Sequence, residues 1–353
     1  MNEQERLESL SPLVQQYIGE QYFSGAVIAL SHAQSTCSKA WGTTAMQGGP
    51  LDGSHLFDLA SLTKLFTTLA VLRLIDTAMV SDQTRLLDIL HFPDPVLATY
   101  LGKVTVSSLL THTSGLPAWY PFYTRQGESF EGILHDILHS TPLQTGVVYS
   151  DLNFMLLGMV VSSVTKLSLE QAMRSLVFEP LNLKSATYHP KRSRCVATEF
   201  GNQIEKRMVS ERGLHFDGWR SEQVPLCGQC NDGNGFYYFG GVAGHAGIFA
   251  DATDVLAVGR AFDSKRGTFL SPDVLTRTLH DWGGGRGFGI QYGELYPNGG
   301  FGHTGFTGTY LYIHPQRDLV ITILTNRLHA PVVQSINHIR IEVVMQLLRS
   351  IAS

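Results

Sequence analysis

Leu7, Leu10, Leu13 and Val14 recur at helical spacing behind a charged start, and predict an amphipathic helix at the beginning of the chain. Two apolar or β-branched runs follow, Gly25 to Ser31 and Ser38 to Gly42, and predict strands. From Leu56 to Pro190 the period is mostly helical, with breaks at Pro93, Pro95, Pro117, Pro121 and Pro142. Residues 191 to 240 are polar, glycine-rich and without a clear period. Thr309 to Ile313 and Leu319 to Leu324 flank Pro315-Gln316-Arg317-Asp318 and predict a hairpin with its turn. Val332 to Leu348 predicts a closing amphipathic helix. Strands near both ends with helices between them predict an α/β (α+β) fold, an antiparallel sheet flanked by terminal helices with an inserted helical lobe. The expected division is a single catalytic domain over residues 1–353, with an α/β lobe at 1–58 and 240–353 and a helix-rich lobe at 59–239.

Within the almost wholly apolar stretch Leu62 to Ile75, polar residues form one stripe. Ser61, Lys64 and Thr68 fall at i, i+3 and i+7 and share a face. A lysine one turn after a serine on an apolar helix needs a partner or a lowered pKa, and such a pair reads as an activated nucleophile. Ser61 is expected to open its helix, with an outward-pointing backbone N–H. The tetrapeptide also occurs at Ser163-Val164-Thr165-Lys166, after the apolar run Phe154 to Val161 and before the capping-box spacing Ser168 to Gln171. There Lys166 falls where a helix ends, and the helix dipole explains a cation at that place.

With 353 residues, 43% hydrophobic and 16% charged, the chain has the composition of a globular enzyme. A net charge of −4 leaves no electrostatic footprint for nucleic acid or an anionic membrane. No apolar run approaches the length of a bilayer span. Met1 to Arg6 lack the basic and apolar regions of a signal peptide, and a cytoplasmic location is expected, a trimmed secreted form being the alternative. Cys37, Cys195, Cys227 and Cys230 are too few for a disulfide framework. Cys227-Gly228-Gln229-Cys230 has the spacing of a redox pair or half a metal site, but it has no second CxxC and lies in a Gly/Asn/Asp-rich loop, so a plain loop is the stronger reading.

Tyr149-Ser150-Asp151-Leu152-Asn153 directly precedes the apolar run, and Ser150 or Asp151 is expected to cap that helix. Tyr149 is then left at a helix start, where partial positive charge favours a phenolate. His303-Thr304-Gly305 follows Gly299-Gly300-Phe301-Gly302 and precedes the terminal hairpin. One histidine among 14 says little by itself. In this order the three motifs resemble the serine β-lactamase and penicillin-binding protein superfamily, most closely its class C β-lactamase-like and esterase branch. Phe57 to Ser61, Leu110 to Leu116, Gly240 to Gly247 and Leu324 to Arg327 extend the resemblance over nearly the whole chain.

The resemblance implies a β-lactamase/transpeptidase-like fold and no cofactor or metal. It implies that Ser61 is acylated, that Lys64 shares or relays its proton, and that Tyr149 is the general base, held as a phenolate by Lys64 and by whatever charge His303 carries. It places the oxyanion between the N–H groups of Ser61 and Phe306, the latter on the strand begun by His-Thr-Gly, with Thr304, Gly305 and Asp151 also against the substrate. A small molecule or a peptide is the expected partner, and the oligomeric state is left open.

Two departures bear on the substrate. The family's usual asparagine is Asp151, which only accepts hydrogen bonds; it either disfavours an acyl-side carbonyl and tolerates a substrate amine or hydroxyl, or pairs with Lys64 and caps the helix. The usual lysine of drug-hydrolysing members is His303, so ester, amide or D-amino-acid peptide hydrolysis is favoured over β-lactam hydrolysis. Arg327 and Arg317 are the candidates for a replacement cation. A penicillin-binding protein or weak β-lactamase and a non-catalytic scaffold are the alternatives. His112 and His245 read as loop-fixing groups, and Gly285 to Gly289 lacks the strand and helix of a dinucleotide site.

Overall fold

The computed structural model describes residues 1–263 and 268–352. Five strands form one antiparallel sheet, β1 (Gly25–His32), β2 (Ser35–Gly42), β5 (Phe301–Thr304), β6 (Thr309–His314) and β7 (Leu319–Thr325), in the order β2-β1-β7-β6-β5. A short pair, β3 (Phe57–Asp58) and β4 (Phe249–Ala250), lies apart from it. Both faces of the sheet are covered, which is why β1, β6 and β7 read as continuous apolar runs without alternation. Ala26, Ile28, Leu30, Tyr310, Tyr312, Ile321 and Ile323 pack against Leu7, Leu10 and Val14 of the first helices and Ile339, Val343 and Leu347 of the last. Val27, Ala29, Leu311, Ile313, Val320 and Leu324 face the opposite way, into the larger core shared with the inserted helices.

At the centre of that larger core is the helix Thr63–Asp76, buried at every position except Arg73 and Asp76. A helix apolar all round has no solvent face, and this one carries Lys64 into the interior. The helix Asp151–Thr165 packs beside it and is likewise mostly buried. No single helix among the described residues is long and apolar enough to cross a membrane.

Three expectations about boundaries change. Strand β2 begins at Ser35, because an edge strand needs no second buried face and its polar start Ser35-Thr36-Cys37 pairs with Leu30 to His32. The segment expected to be irregular contains the helix Gln203–Glu211; its buried residues are only Glu205 and Val209, so it has almost no apolar period to announce it. The closing helix is Asn337–Ala352, and Val332 and Val333 lie before it, exposed.

Candidate active site

The nucleophile stands on a strained turn. Strand β3 runs into a 3-10 turn, Ala60–Leu62, that leads into the helix Thr63–Asp76, so Ser61 lies just before the α-helix proper. Ala60 is held at φ +46°, a left-handed conformation that costs an alanine energy and persists only when its surroundings enforce it. The fully buried Asp58 carboxylate supplies the enforcement, accepting from the Ala60 N–H at 2.8 Å and the Asn231 N–H at 2.6 Å. Burial pushes the Asp58 carboxyl up to about 6. Thr307 and Thr309 tie the turn after β5 to the same segment, donating their hydroxyls to the Asp58 and Leu59 carbonyls at 2.6 and 3.0 Å. A Cβ on Gly305 would lie 2.5 Å from the Leu59 carbonyl oxygen and 1.9 Å from Thr309 Oγ1, so only glycine allows this approach.

Lys64 is completely buried and donates to Ser61 Oγ at 2.9 Å and to the His245 carbonyl at 3.2 Å. Its ammonium forms an ion pair with Asp151 Oδ1 at 2.7 Å. Burial pulls its pKa down; Asp151 and Tyr149 together outweigh burial and hold the ammonium well above the ordinary lysine range. Lys64 is therefore a fixed cation beside the serine.

His112 shapes the loop that carries Tyr149. Its Nδ1 accepts from the Ser150 N–H and from Asn153 Nδ2, both at 3.1 Å, and Ser114 Oγ donates to Asn153 Oδ1 at 2.6 Å. Burial, with Arg286, Lys64 and His303 nearby, keeps His112 neutral. Ser150 occupies the N-cap position but does not cap: its hydroxyl donates to the Pro117 carbonyl at 2.7 Å, and Asp151 faces Lys64. The cap expected of Ser150 or Asp151 is replaced by these tertiary bonds. The Lys64 ammonium lies 5.1 Å from the Tyr149 ring centre, and the Arg286 guanidinium lies 5.3 Å from it.

His303, on edge strand β5, has its ring 5.8 Å from that of Tyr149. Its Nδ1–H donates to the Thr304 carbonyl at 2.8 Å, so in the neutral ring Nε2 is the acceptor. Burial, reinforced by Lys64 and Arg286, pushes it down to about 3, so it carries no charge at neutral pH. The second cation beside Tyr149 is Arg286, which the sequence pattern does not single out. Of the two arginines named as replacement cations, Arg327 lies beside the site, 5.4 Å from the Phe306 ring. Arg317 sits on the hairpin turn at the far end of β6.

Phe306 is 43% exposed and lies in the tight turn beyond β5, not on the strand as expected, because the strand ends at Thr304 and Gly308 donates its N–H back to the Gly305 carbonyl. Among the described residues neither the Phe306 N–H nor the Ser61 N–H has an acceptor within the protein. Both residues line a cavity of ≈190 Å³ with Ala60, Tyr149, Asp151 and Thr307. Thr304 and Gly305 are not on its wall. Its far wall is Trp119, Glu205, Met208, Asn231 and Asp232, none of them anticipated from sequence. Asp232 pairs with the buried His245 at 2.9 Å, so His245 does hold a loop in place.

The second tetrapeptide is elsewhere. Ser163 donates to the Ile89 carbonyl at 3.1 Å, and Lys166 is an exposed C-cap. All four cysteines are free thiols, with Cys227 Sγ 3.2 Å from the Cys195 carbonyl. Among the described residues no group of three or more His, Cys, Asp or Glu side chains is placed to hold a metal ion.

Sheet, helical insert and a serine beside a buried lysine define the β-lactamase and penicillin-binding class of serine hydrolases. The β-lactamase family model matches residues 10–345, and the chain belongs to that family. It is 29% identical to a D-alanyl-D-alanine carboxypeptidase-like protein of Escherichia coli K12, over 93% of this chain and 84% of that one. Its fold is similar to that of a class C β-lactamase from Rhodobacter sphaeroides, with a TM-score of 0.73, 19% identity and coverage of 98% of this chain and 99% of that one. It is also similar to EstCE1, described as a hydrolase with promiscuous acyltransferase activity, with a TM-score of 0.72, 19% identity and coverage of 99% and 98%.

Proposed function

We propose that this serine hydrolase cleaves ester or amide bonds of small molecules or peptides through an acyl-enzyme on Ser61, as a carboxylesterase, amidase or D-amino-acid peptidase. The observation that carries the reading is the Lys64 ammonium, buried, paired with Asp151 and 2.9 Å from Ser61 Oγ. A permanently protonated lysine cannot take the serine proton, so that task falls to Tyr149, beside which the Lys64 and Arg286 cations lie. Ser61 Oγ attacks the carbonyl carbon as its proton passes to Tyr149. The oxyanion forms against the Ser61 and Phe306 N–H groups, and the tetrahedral species collapses as Tyr149 returns the proton to the leaving oxygen or nitrogen. Water then repeats the sequence in reverse, with Tyr149 again as base, and frees Ser61.

The neutral His303 bears on the substrate. A β-lactam presents a carboxylate, and the strand beside the nucleophile offers it no charge. Protonation of His303 near pH 3 also means that its titration leaves no inflection in the rate profile between pH 5 and 8. The carboxypeptidase-like relative supports a peptide as substrate.

The test is covalent labelling with a fluorophosphonate and a fluorescent penicillin, read as mass shifts on wild type and on Ser61→Ala. A Ser61-dependent fluorophosphonate adduct with slow penicillin labelling is expected. An adduct on any other residue, or none with either probe, rejects the acyl-enzyme; rapid penicillin capture would instead favour a penicillin-binding protein.

A further inference from the structure

The cavity beside Ser61 is walled by hydrogen-bond acceptors. Asp151 is committed to Lys64 and Asp232 to His245. Glu205 has no such partner: its carboxylate accepts from the Tyr123 hydroxyl at 2.7 Å and the Gly233 N–H at 2.6 Å, and among the described residues no cation lies within ion-pair distance. A Cβ on residue 233 would lie 2.2 Å from Glu205 Oε2, so the chain is shaped to let this carboxylate in. Asn231, only 1% exposed, belongs to the same wall. Its Nδ2 donates to Glu199 Oε1 at 3.1 Å, and its Oδ1 is buried without any donor among the described residues. Glu199 likewise has no cation within ion-pair distance among them. A buried acceptor left empty is destabilising, and Glu205 stands on this wall without a counter-ion, so the wall has room for a donor of positive charge.

We propose that the cavity is an ammonium subsite: the substrate's group that enters it carries a free, protonated primary amine, as in an ester or amide of a small α-amino acid or a peptide with a free amino terminus. This rests on the acyl-enzyme reading at Ser61 and names the class of substrate that such an enzyme takes. An ammonium brings donors for Asn231 Oδ1 and for the Glu205 and Asp232 carboxylates, while Trp119 and Met208 face the apolar part of the group. N-acylation would remove the charge and leave the acceptors unmet; a desamino analogue would do the same without added bulk. Burial and the Asp232 charge push the Glu205 carboxyl up to about 8, so a bound cation should draw its proton off into the buffer.

Binding can be measured without catalysis. With Ser61→Ala, both enantiomers of alaninamide are compared with propionamide and N-acetylalaninamide by calorimetry at pH 7. One enantiomer of alaninamide should bind at least about tenfold more tightly than either neutral analogue. Proton release, read from the dependence of the heat on buffer ionisation, should accompany that binding. Glu205→Gln should collapse the preference. In the wild type, kcat/KM for the p-nitroanilides of alanine and propionate should show the same ratio, which keeps the test open if the variant does not fold. Equal or tighter binding of a neutral analogue, or no binding of alaninamide, overturns the ammonium subsite. It does so without touching the acyl-enzyme, whose own failure is read separately as loss of Ser61 labelling.

Discussion

Ser61-Leu62-Thr63-Lys64 and Ser163-Val164-Thr165-Lys166 are nearly the same tetrapeptide in two places. The first leads into a helix buried on every side, and the second ends one. Lys64 is fully buried, paired with Asp151 and within hydrogen-bond reach of its serine. Lys166 is exposed in a left-handed C-cap, and Ser163 is spent on the Ile89 carbonyl. The chemistry therefore lies in removal from water and in the counter-charges that make burial bearable, not in the four residues.

Exchanging the serines should show the contrast at its widest. Ser61→Ala is expected to lower kcat on the order of 10³-fold or more and to abolish fluorophosphonate labelling. Ser163→Ala should leave kcat alone and cost about 1 kcal/mol of stability for the lost bond to Ile89. Comparable losses from both variants, in turnover and in urea denaturation, would erase the distinction.

The lysines come next. Lys64→Met removes one partner of a buried pair, and a loss of about 3 kcal/mol is expected, at the lower end for such pairs because Asp151 is 17% exposed. Lys166→Met should change stability by less than about 0.5 kcal/mol. Chemistry separates them too: acetic anhydride at pH 8.5 should acetylate Lys166 and spare Lys64, as peptide mapping of the native protein would show. Asp151 is the reason for the second result. Asp151 and Tyr149 together outweigh burial in raising the Lys64 pKa, so Lys64 adds stability at all pH values below the unfolded-state value of about 10.4, and loses it as pH rises through the higher folded value. Asp151→Asn leaves only Tyr149 to oppose burial, and the alkaline limb of the kcat/KM profile should move to lower pH. An unmoved limb would mean that Asp151 does not set the charge of Lys64.

Much of this contrast was legible in sequence because Ser61, Lys64, Tyr149 and His303 sit in short motifs on predictable elements, and Asp151 lies inside one of them. The far wall was not. Glu205 belongs to a polar helix with two buried residues, and Asn231 and Asp232 to a glycine-rich loop, so no periodicity marks them. Tyr123 and His245 reach them from 82 and 13 residues away in sequence. Arg286 comes to Tyr149 on a loop pinned by the Phe288 and Gly289 N–H groups to the Thr278 and Leu110 carbonyls, contacts that exist only once the helices have packed. His303 was identifiable as a residue but not as a buried one, and burial decides its charge.

The smallest expected effect belongs to Lys166 and runs in the opposite direction. Its φ of +59° and ψ of +24° place a side-chain-bearing residue where a helix stop favours glycine. The left-handed strain is worth roughly 1 kcal/mol or more per residue, offset in part by the greater freedom that glycine has in the unfolded chain. Lys166→Gly should therefore raise stability by about 0.5 kcal/mol and leave kcat unchanged, measured by chemical denaturation and ester turnover on the same preparation. No substitution of Lys64 can share this outcome, because Lys64 occupies an ordinary helical position and its ammonium neutralises a carboxylate. A loss of stability in Lys166→Gly would mean that the second lysine has a partner in solution and that the two tetrapeptides differ less than their burial implies.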